Sequence, residues 1–139
     1  TDKHYDGTIF HRVISNFMIQ GGGFDEKFTQ RPTRPPVMHE GREALAKGGP
    51  KNVVGTLAMA RTNDPHSASS QFFINVKDND FLNHSSPTPS GWGYCVFGRV
   101  TDGMDTVNAI KGVKTGSHGP HGDVPVEVVE ILGAEVVSA

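Results

Sequence analysis

A chain of 139 residues with 13 Lys+Arg, 15 Asp+Glu and 35% hydrophobic residues has the profile of one globular domain, and at this length roughly two-thirds of the unfolded surface can be buried. A formal net charge of −2 with both signs interspersed leaves no basic face for nucleic acid and no polybasic membrane patch. The lone Cys95 excludes an internal disulfide, no run approaches the roughly eighteen apolar residues of a membrane span, and 17 Gly with 9 Pro suit turn-rich β structure.

In chain order, Thr8 to Val13 and Phe17 to Gln20 read as strands joined by Ile14-Ser15-Asn16, because each is rich in β-branched and aromatic residues. Gly21 to Gly23 should stop the second strand, since residues without Cβ discourage regular structure. From Phe24 to Asn52 the prolines and glycines follow no period, which predicts a long surface loop with one helical turn near Arg42 to Lys47. Val53 to Ala60 and Gln71 to Val76 are the next strands, the second with a continuous apolar centre that suits cover on both faces. Asp78 to Gly93 is polar and broken by Pro and Gly, and β character resumes from Tyr94 to Val100. Asp102 is placed to cap a helix from Gly103 to Lys111, with Met104, Val107 and Ile110 on one face and Gly112 at its end. A turn-rich stretch, Thr115 to Asp123, precedes a last strand from Val126 to Val137. Five or six strands with one clear helix argue for an antiparallel barrel or sandwich, mainly β.

Several motifs fail the context their chemistry needs. His118-Gly-Pro-His121 with Asp123 offers three metal-ligand types, but Gly119 and Pro120 break the helix that would align two imidazoles, so these histidines read as structural or solvated and no metal is expected. The triple glycine is not followed by Lys-Ser/Thr and does not cradle phosphate. Cys95 lies within a strand, where a small apolar role is commoner than a nucleophilic one. More informative are Phe10-His11-Arg12-Val13, Phe17 to Gly21, Met59-Ala60-Arg61 and Gln71 to Ile74. There a guanidinium, two primary amides and several Phe and Met side chains recur on short strands, as at an apolar pocket with a polar rim. Composition does not decide whether they meet or whether the Phe residues are simply core.

The segments Tyr5-Asp-Gly-Thr-Ile-Phe-His-Arg-Val-Ile and Asn16-Phe-Met-Ile-Gln-Gly-Gly-Gly-Phe resemble the signature of cyclophilin-type peptidyl-prolyl cis-trans isomerases. So do Gly55-Thr-Leu-Ala-Met-Ala-Arg and Ser67-Ala-Ser-Ser-Gln-Phe-Phe-Ile, in the same order, and the resemblance runs from Tyr5 to the last strand. The insertion before Gly91-Trp-Gly-Tyr-Cys-Val-Phe-Gly resembles the bacterial cytoplasmic subgroup, and the single Cys agrees with a cytoplasmic location. The resemblance implies a closed antiparallel eight-stranded barrel with capping helices, in a single isomerase domain over residues 1–139. It also implies a segment before Tyr5 that carries the first two strands and first helix, so the domain reads as N-terminally incomplete.

The same resemblance assigns a site. Arg12 matches the catalytic arginine and Gln20 a residue that orients it or bonds the substrate backbone. Phe17, Met18, Phe73 and Leu82 match the proline pocket, while Ala60, Arg61, Thr62 and Gln71 match a groove that holds the residues before proline. Phe81 stands where better-known members carry a tryptophan and Tyr94 where they carry a pocket histidine. Phe81 offers no indole donor, so cyclosporin should bind weakly. The implied activity is rotation about X-Pro bonds that assists protein folding, by a monomer without cofactor. Its partners are proline-containing peptides and unfolded or folding proteins. The alternative is a module that binds proline peptides without catalysis, which would have no need of a donor such as Arg12.

Overall fold

The computed structural model describes residues 4–33, 35–36, 51–62, 64, 66–86 and 91–137. Strand β1 (Thr8–Ile14) turns into β2 (Met18–Asp25), and after a long excursion come β3 (Thr56–Met59) and β4 (Phe72–Asn75). A 3-10 turn at Asp80–Leu82 leads to β5 (Val96–Arg99) and helix α1 (Met104–Lys111). The hairpin β6 (Thr115–His118) and β7 (His121–Pro125) and the short β8 (Glu130–Ile131) complete the order. The helical turn expected near Arg42 to Lys47 lies outside the described residues.

The main sheet has six strands in the order β5-β3-β4-β2-β1-β8, with every pair antiparallel. The second sheet is the β6–β7 hairpin, which packs against β1. The expected closed barrel is therefore not what the described strands form. Closure would require the outer edges of β5 and β8 to be paired, and among the described residues they are not. Instead β8 pairs along only Ile131↔Thr8 and Glu130↔Ile9, so the long last strand expected from Val126 to Val137 is reduced to two residues. Nor was Thr115 to Asp123 merely turns: Gly119 and Pro120 sit at the tip of a paired hairpin. Among the described residues one α-helix is present, the one expected from Gly103 to Lys111.

The triple glycine also behaves differently from expectation, because β2 runs straight through it. Gly22 has φ +90, and a Cβ there would lie 2.7 Å from the Tyr5 ring and 3.0 Å from the Ser70 carbonyl. Neighbouring chain thus approaches β2 too closely for a side chain, and glycine continues the strand where other residues would not fit. At α1 the cap is Gly103, with φ 91 and no side-chain bond, and Asp102 does not serve. Asp105 in the first turn and Lys111 in the last complement the helix dipole, and Gly112 ends the helix.

Strand alternation sorts the apolar residues into two clusters on opposite faces of the sheet. One contains Phe10, Val13, Ile19 and Ile74 and is covered by α1 through Val107, with Met104 and Ile110 alongside. The other contains Met18, Ala58, Phe73, Leu82 and Val96, with Phe17, Ala60 and Tyr94 around it. Among the described residues no α-helix packs on this second cluster, and its residues surround a cleft.

Candidate active site

Register carries the site across five strands. Arg12 pairs with Gln20, Gln20 with Phe73, Phe73 with Ala58, and Ala58 with Val96, so the five form one row across one face. Strict alternation would not have put Arg12 there, because Phe10, two residues earlier, belongs to the opposite cluster. The β1–β2 ladder shifts register between Phe10 and Arg12, where two steps on β1 oppose one step on β2 from Gly21 to Gln20. This bulge turns Arg12 onto the cleft face while Val13 stays in the core. A single sequence carries no sign of this shift.

The cleft has a volume of about 140 Å3. Met18, Phe73 and Leu82 give it buried apolar surface, and Phe17 and Ala60 extend that surface. Arg12, Gln20, Arg61 and Tyr94 supply its polar and aromatic rim. Nine of the twelve residues singled out from the sequence thus line one space. The other three stand around it. Phe81 is 74% exposed and stacks on Phe17 with ring centroids 5.7 Å apart. The Gln71 side chain accepts a 2.9 Å hydrogen bond from Gln20 Nε2. Thr62 is exposed, and its hydroxyl donates to Ser67 Oγ at 2.9 Å while its backbone N–H donates to the same oxygen at 3.0 Å.

Each guanidinium is held differently. Arg61 donates from Nε to the Gly93 carbonyl at 2.9 Å and from Nη1 to the Thr62 carbonyl at 2.8 Å, and its carbon lies 4.8 Å from the centre of the Tyr94 ring. That fixes it as part of the wall. Arg12 is exposed and lines the cleft, with its guanidinium carbon 6.0 Å from the Phe17 ring centre. The amide of Gln20 is oriented by Gln71: with Nε2 turned to that acceptor, the carbonyl oxygen faces away from Gln71 and is available as an acceptor on the strand pair it shares with Arg12. Gln71 in turn lies flat on β2. A Cβ at Gly23 would come within 2.5 Å of its Nε2, so this glycine makes the arrangement possible.

Sequence reading passed over His11 as a functional neighbour. It is buried within the bulge, edge-on to Phe24 and His121, and its Nδ1 is the one buried side-chain polar atom among the described residues without a hydrogen bond. Burial lowers its pKa from 6.5 to about 4, with His121 and then Arg12 adding charge repulsion. His11 is thus neutral at ordinary pH beside a charged Arg12. His118 and His121 belong to this ring cluster, His118 stacked on Phe28 at 4.0 Å. The adjacency of His11 to Arg12 was visible in the sequence; its burial was not.

A cleft with an apolar floor and a rim of guanidinium, amide and phenol groups, on the face of an antiparallel sheet, has the make-up of a ligand-binding site. Comparisons with known proteins identify which class this is. Residues 1–136 match the family model for cyclophilin type peptidyl-prolyl cis-trans isomerase/CLD, and the chain belongs to that family. It is 63% identical over 134 residues to peptidyl-prolyl cis-trans isomerase cyp18 of Streptomyces antibioticus, covering 96% of this chain and 78% of that protein. It is 60% identical over 132 residues to peptidyl-prolyl cis-trans isomerase B of Escherichia coli (strain K12), covering 95% and 77%. A crystal structure of a Cryptosporidium parvum cyclophilin type isomerase, determined in the presence of the dipeptide Ala-Pro, superposes with a TM-score of 0.66 at 25% identity, covering 98% of this chain and 78% of that one. The fold is of the cyclophilin type, the bacterial subgroup fits, and the activity is peptidyl-prolyl cis-trans isomerisation. Among the described residues no helix is long and apolar enough to cross a membrane.

Proposed function

We propose that isomerisation takes place in this cleft, with the proline ring against Phe17, Met18, Phe73 and Leu82 and with Arg12 at the twisting amide. The observation that supports this most is the cross-strand pair Arg12↔Gln20 at the rim of a pocket floored by Met18, Phe73 and Leu82. Rotation about the peptide bond costs about 18–20 kcal/mol because C–N resonance is lost, and uncatalysed X-Pro bonds exchange in roughly tens of seconds. Millisecond turnover needs an acceleration of about 10⁴ to 10⁵, or about 5.5–7 kcal/mol of transition-state stabilisation. Two contributions are available. Burial of the amide disfavours its charge-separated planar form, and a guanidinium N–H donates to the nitrogen lone pair that localises as the bond twists. Arg12 suits this because it stays charged and its fork of donors can also hold the substrate carbonyl.

Gln20 accepts from Arg12 or from a substrate N–H through the carbonyl oxygen that Gln71 leaves free. Ala60, Arg61, Thr62 and Gln71 run along the groove that receives the residues before proline, by main-chain and amide hydrogen bonds. Proline-containing segments of unfolded or folding proteins are the substrates, a reading supported by the relative crystallised in the presence of Ala-Pro. The chain acts as a monomeric single domain in the cytoplasm. Phe81 lacks a hydrogen-bond donor, so cyclosporin binds weakly, and Phe81→Trp should tighten it by about tenfold in calorimetry, on the order of one added hydrogen bond.

The test is two-dimensional exchange NMR on an Ala-Pro peptide. The wild-type chain should produce cis–trans cross-peaks at short mixing times, and Arg12→Ala should remove most of them. Full exchange activity in a folded Arg12→Ala chain overturns the assignment, and binding without exchange enhancement in the wild type favours a passive peptide-binding module.

A further inference from the structure

We propose that three buried asparagines, Asn52, Asn75 and Asn79, are positioning residues that set the separation of the proline pocket's walls and so its selectivity for ring size. The inference rests on the placement of the substrate proline in this cleft. None of the three lines it. They are 1%, 0% and 2% exposed, and a buried amide is costly unless hydrogen-bonded.

Their bonds form a directed chain that begins and ends on pocket residues. At one end Asn79 Nδ2 donates to the Phe17 carbonyl at 2.9 Å and to Asn75 Oδ1 at 2.8 Å. Asn75 Nδ2 then donates to Asn52 Oδ1 at 3.0 Å and to Thr56 Oγ1 at 2.9 Å. At the other end Asn52 Nδ2 donates to the Tyr94 carbonyl at 2.9 Å and the Leu82 carbonyl at 3.3 Å. Flipping the Asn75 amide would face donor with donor and acceptor with acceptor, so its orientation is dictated by its neighbours.

Phe17, Leu82 and Tyr94 are wall residues of the cleft, and the chain of bonds joins the Phe17 backbone to the backbones of Leu82 and Tyr94. These residues come from a turn, the 3-10 turn and a loop end that lie outside the sheet ladder, whereas the floor residues Met18 and Phe73 are fixed by strand pairing. Apolar packing alone tolerates sliding, but hydrogen bonds of fixed length and direction do not. Such a tie selects a ring of one size: proline against the four-membered azetidine-2-carboxylic acid and the six-membered pipecolic acid.

The experiment compares kcat/KM for peptides carrying each of the three rings, each corrected for its uncatalysed rate, in wild type, Asn75→Asp and Asn79→Ala. Asn75→Asp removes the donor in mid-chain, and Asn79→Ala cuts only the Phe17 end. The preference for proline over pipecolic acid should fall by about threefold or more in folded variants, with KM for the proline peptide raised more than kcat is lowered. Preserved ring preference in either folded variant overturns the proposal, because a merely structural amide lowers stability and leaves that ratio alone. In the wild-type chain the Nδ2–H resonances of Asn52 and Asn79 should shift on saturation with an Ala-Pro peptide while that of the exposed Asn108 does not, and unshifted resonances also overturn it should neither variant fold. If the wild type itself fails to accelerate exchange, it is the assignment of the cleft that falls.

Discussion

Met18 and Ile19 are neighbours on β2, 1% and 0% exposed, yet they belong to different parts of the molecule. Ile19 sits in the cluster that α1 closes, surrounded by aliphatic and aromatic groups and no polar side chain of the site. Met18 lies in the cluster that opens into the cleft, within reach of Gln20 and Arg12. The two faces differ in what covers them rather than in how their strands are built. Where a helix supplies the second layer, its apolar side packs onto the sheet and the face contributes stability. Where the cover is a turn, a 3-10 segment and loop ends, a gap of small-ring size remains and polar groups gather at its rim.

The largest effect expected is on the closed face. Ile19→Ala should cost about 2–5 kcal/mol in denaturant unfolding, through lost burial and the cavity left behind, while kcat/KM per folded molecule stays within about twofold. Met18→Ala should cost a similar amount of stability and should also reduce kcat/KM. Equal effects of the two on activity would break the division between faces.

Next in size is Arg12→Ala, expected to lower kcat/KM by about ten- to a hundredfold, or about 1.4–2.7 kcal/mol of transition-state stabilisation. Its exposed position predicts an unfolding midpoint close to that of wild type. Exchange NMR and thermal unfolding on the same sample check both statements.

His11 makes the junction between the faces sensitive to pH. Its native pKa of about 4 lies below its ordinary 6.5, so between these values the unfolded chain binds a proton that the native chain does not. Stability is therefore full above the upper value and is lost as pH falls through the window, at a rate approaching about 1.4 kcal/mol per pH unit. Thermal unfolding from pH 7 to pH 4 should show this loss, and His11→Gln should flatten it. An unchanged slope in His11→Gln would assign the acid sensitivity elsewhere.

The smallest effect is the most local. Gly23→Ala places a methyl group where the Gln71 amide lies, which should release Gln20 and lower kcat/KM by about three- to tenfold, or about 0.6–1.4 kcal/mol. Stability should change little, since Gln71 can swing away. Gln71→Ala should show a similar loss, and the double variant should add little to either, because both act on the same hydrogen bond.

The strands from Thr8, Phe17 and Gln71 and the helix ending at Lys111 were readable because their apolar spacing is local, and motif order pointed to the cleft residues. The end of β2 was misread because glycine signals a break when nothing is known of its neighbours, and here those neighbours demand glycine within the strand. The hairpin at Thr115–Pro125 was missed because its strands are short and mostly polar, and backbone pairing, not hydrophobic period, defines them.

By itself the amino-acid sequence determined a mainly β class through its local apolar spacing, and the family and the residue types at the site through the resemblance of its ordered motifs to a known signature. Tertiary structure alone decided that the described sheet has two edges, that a register shift turns Arg12 onto the cleft face, and that His11 is buried without a partner. It also decided that Gln71 orients Gln20 and that three asparagines tie the pocket walls. The physical reason is the same throughout: pairing register, burial and hydrogen-bond partnership are relations between residues distant in the chain, and no local pattern encodes them.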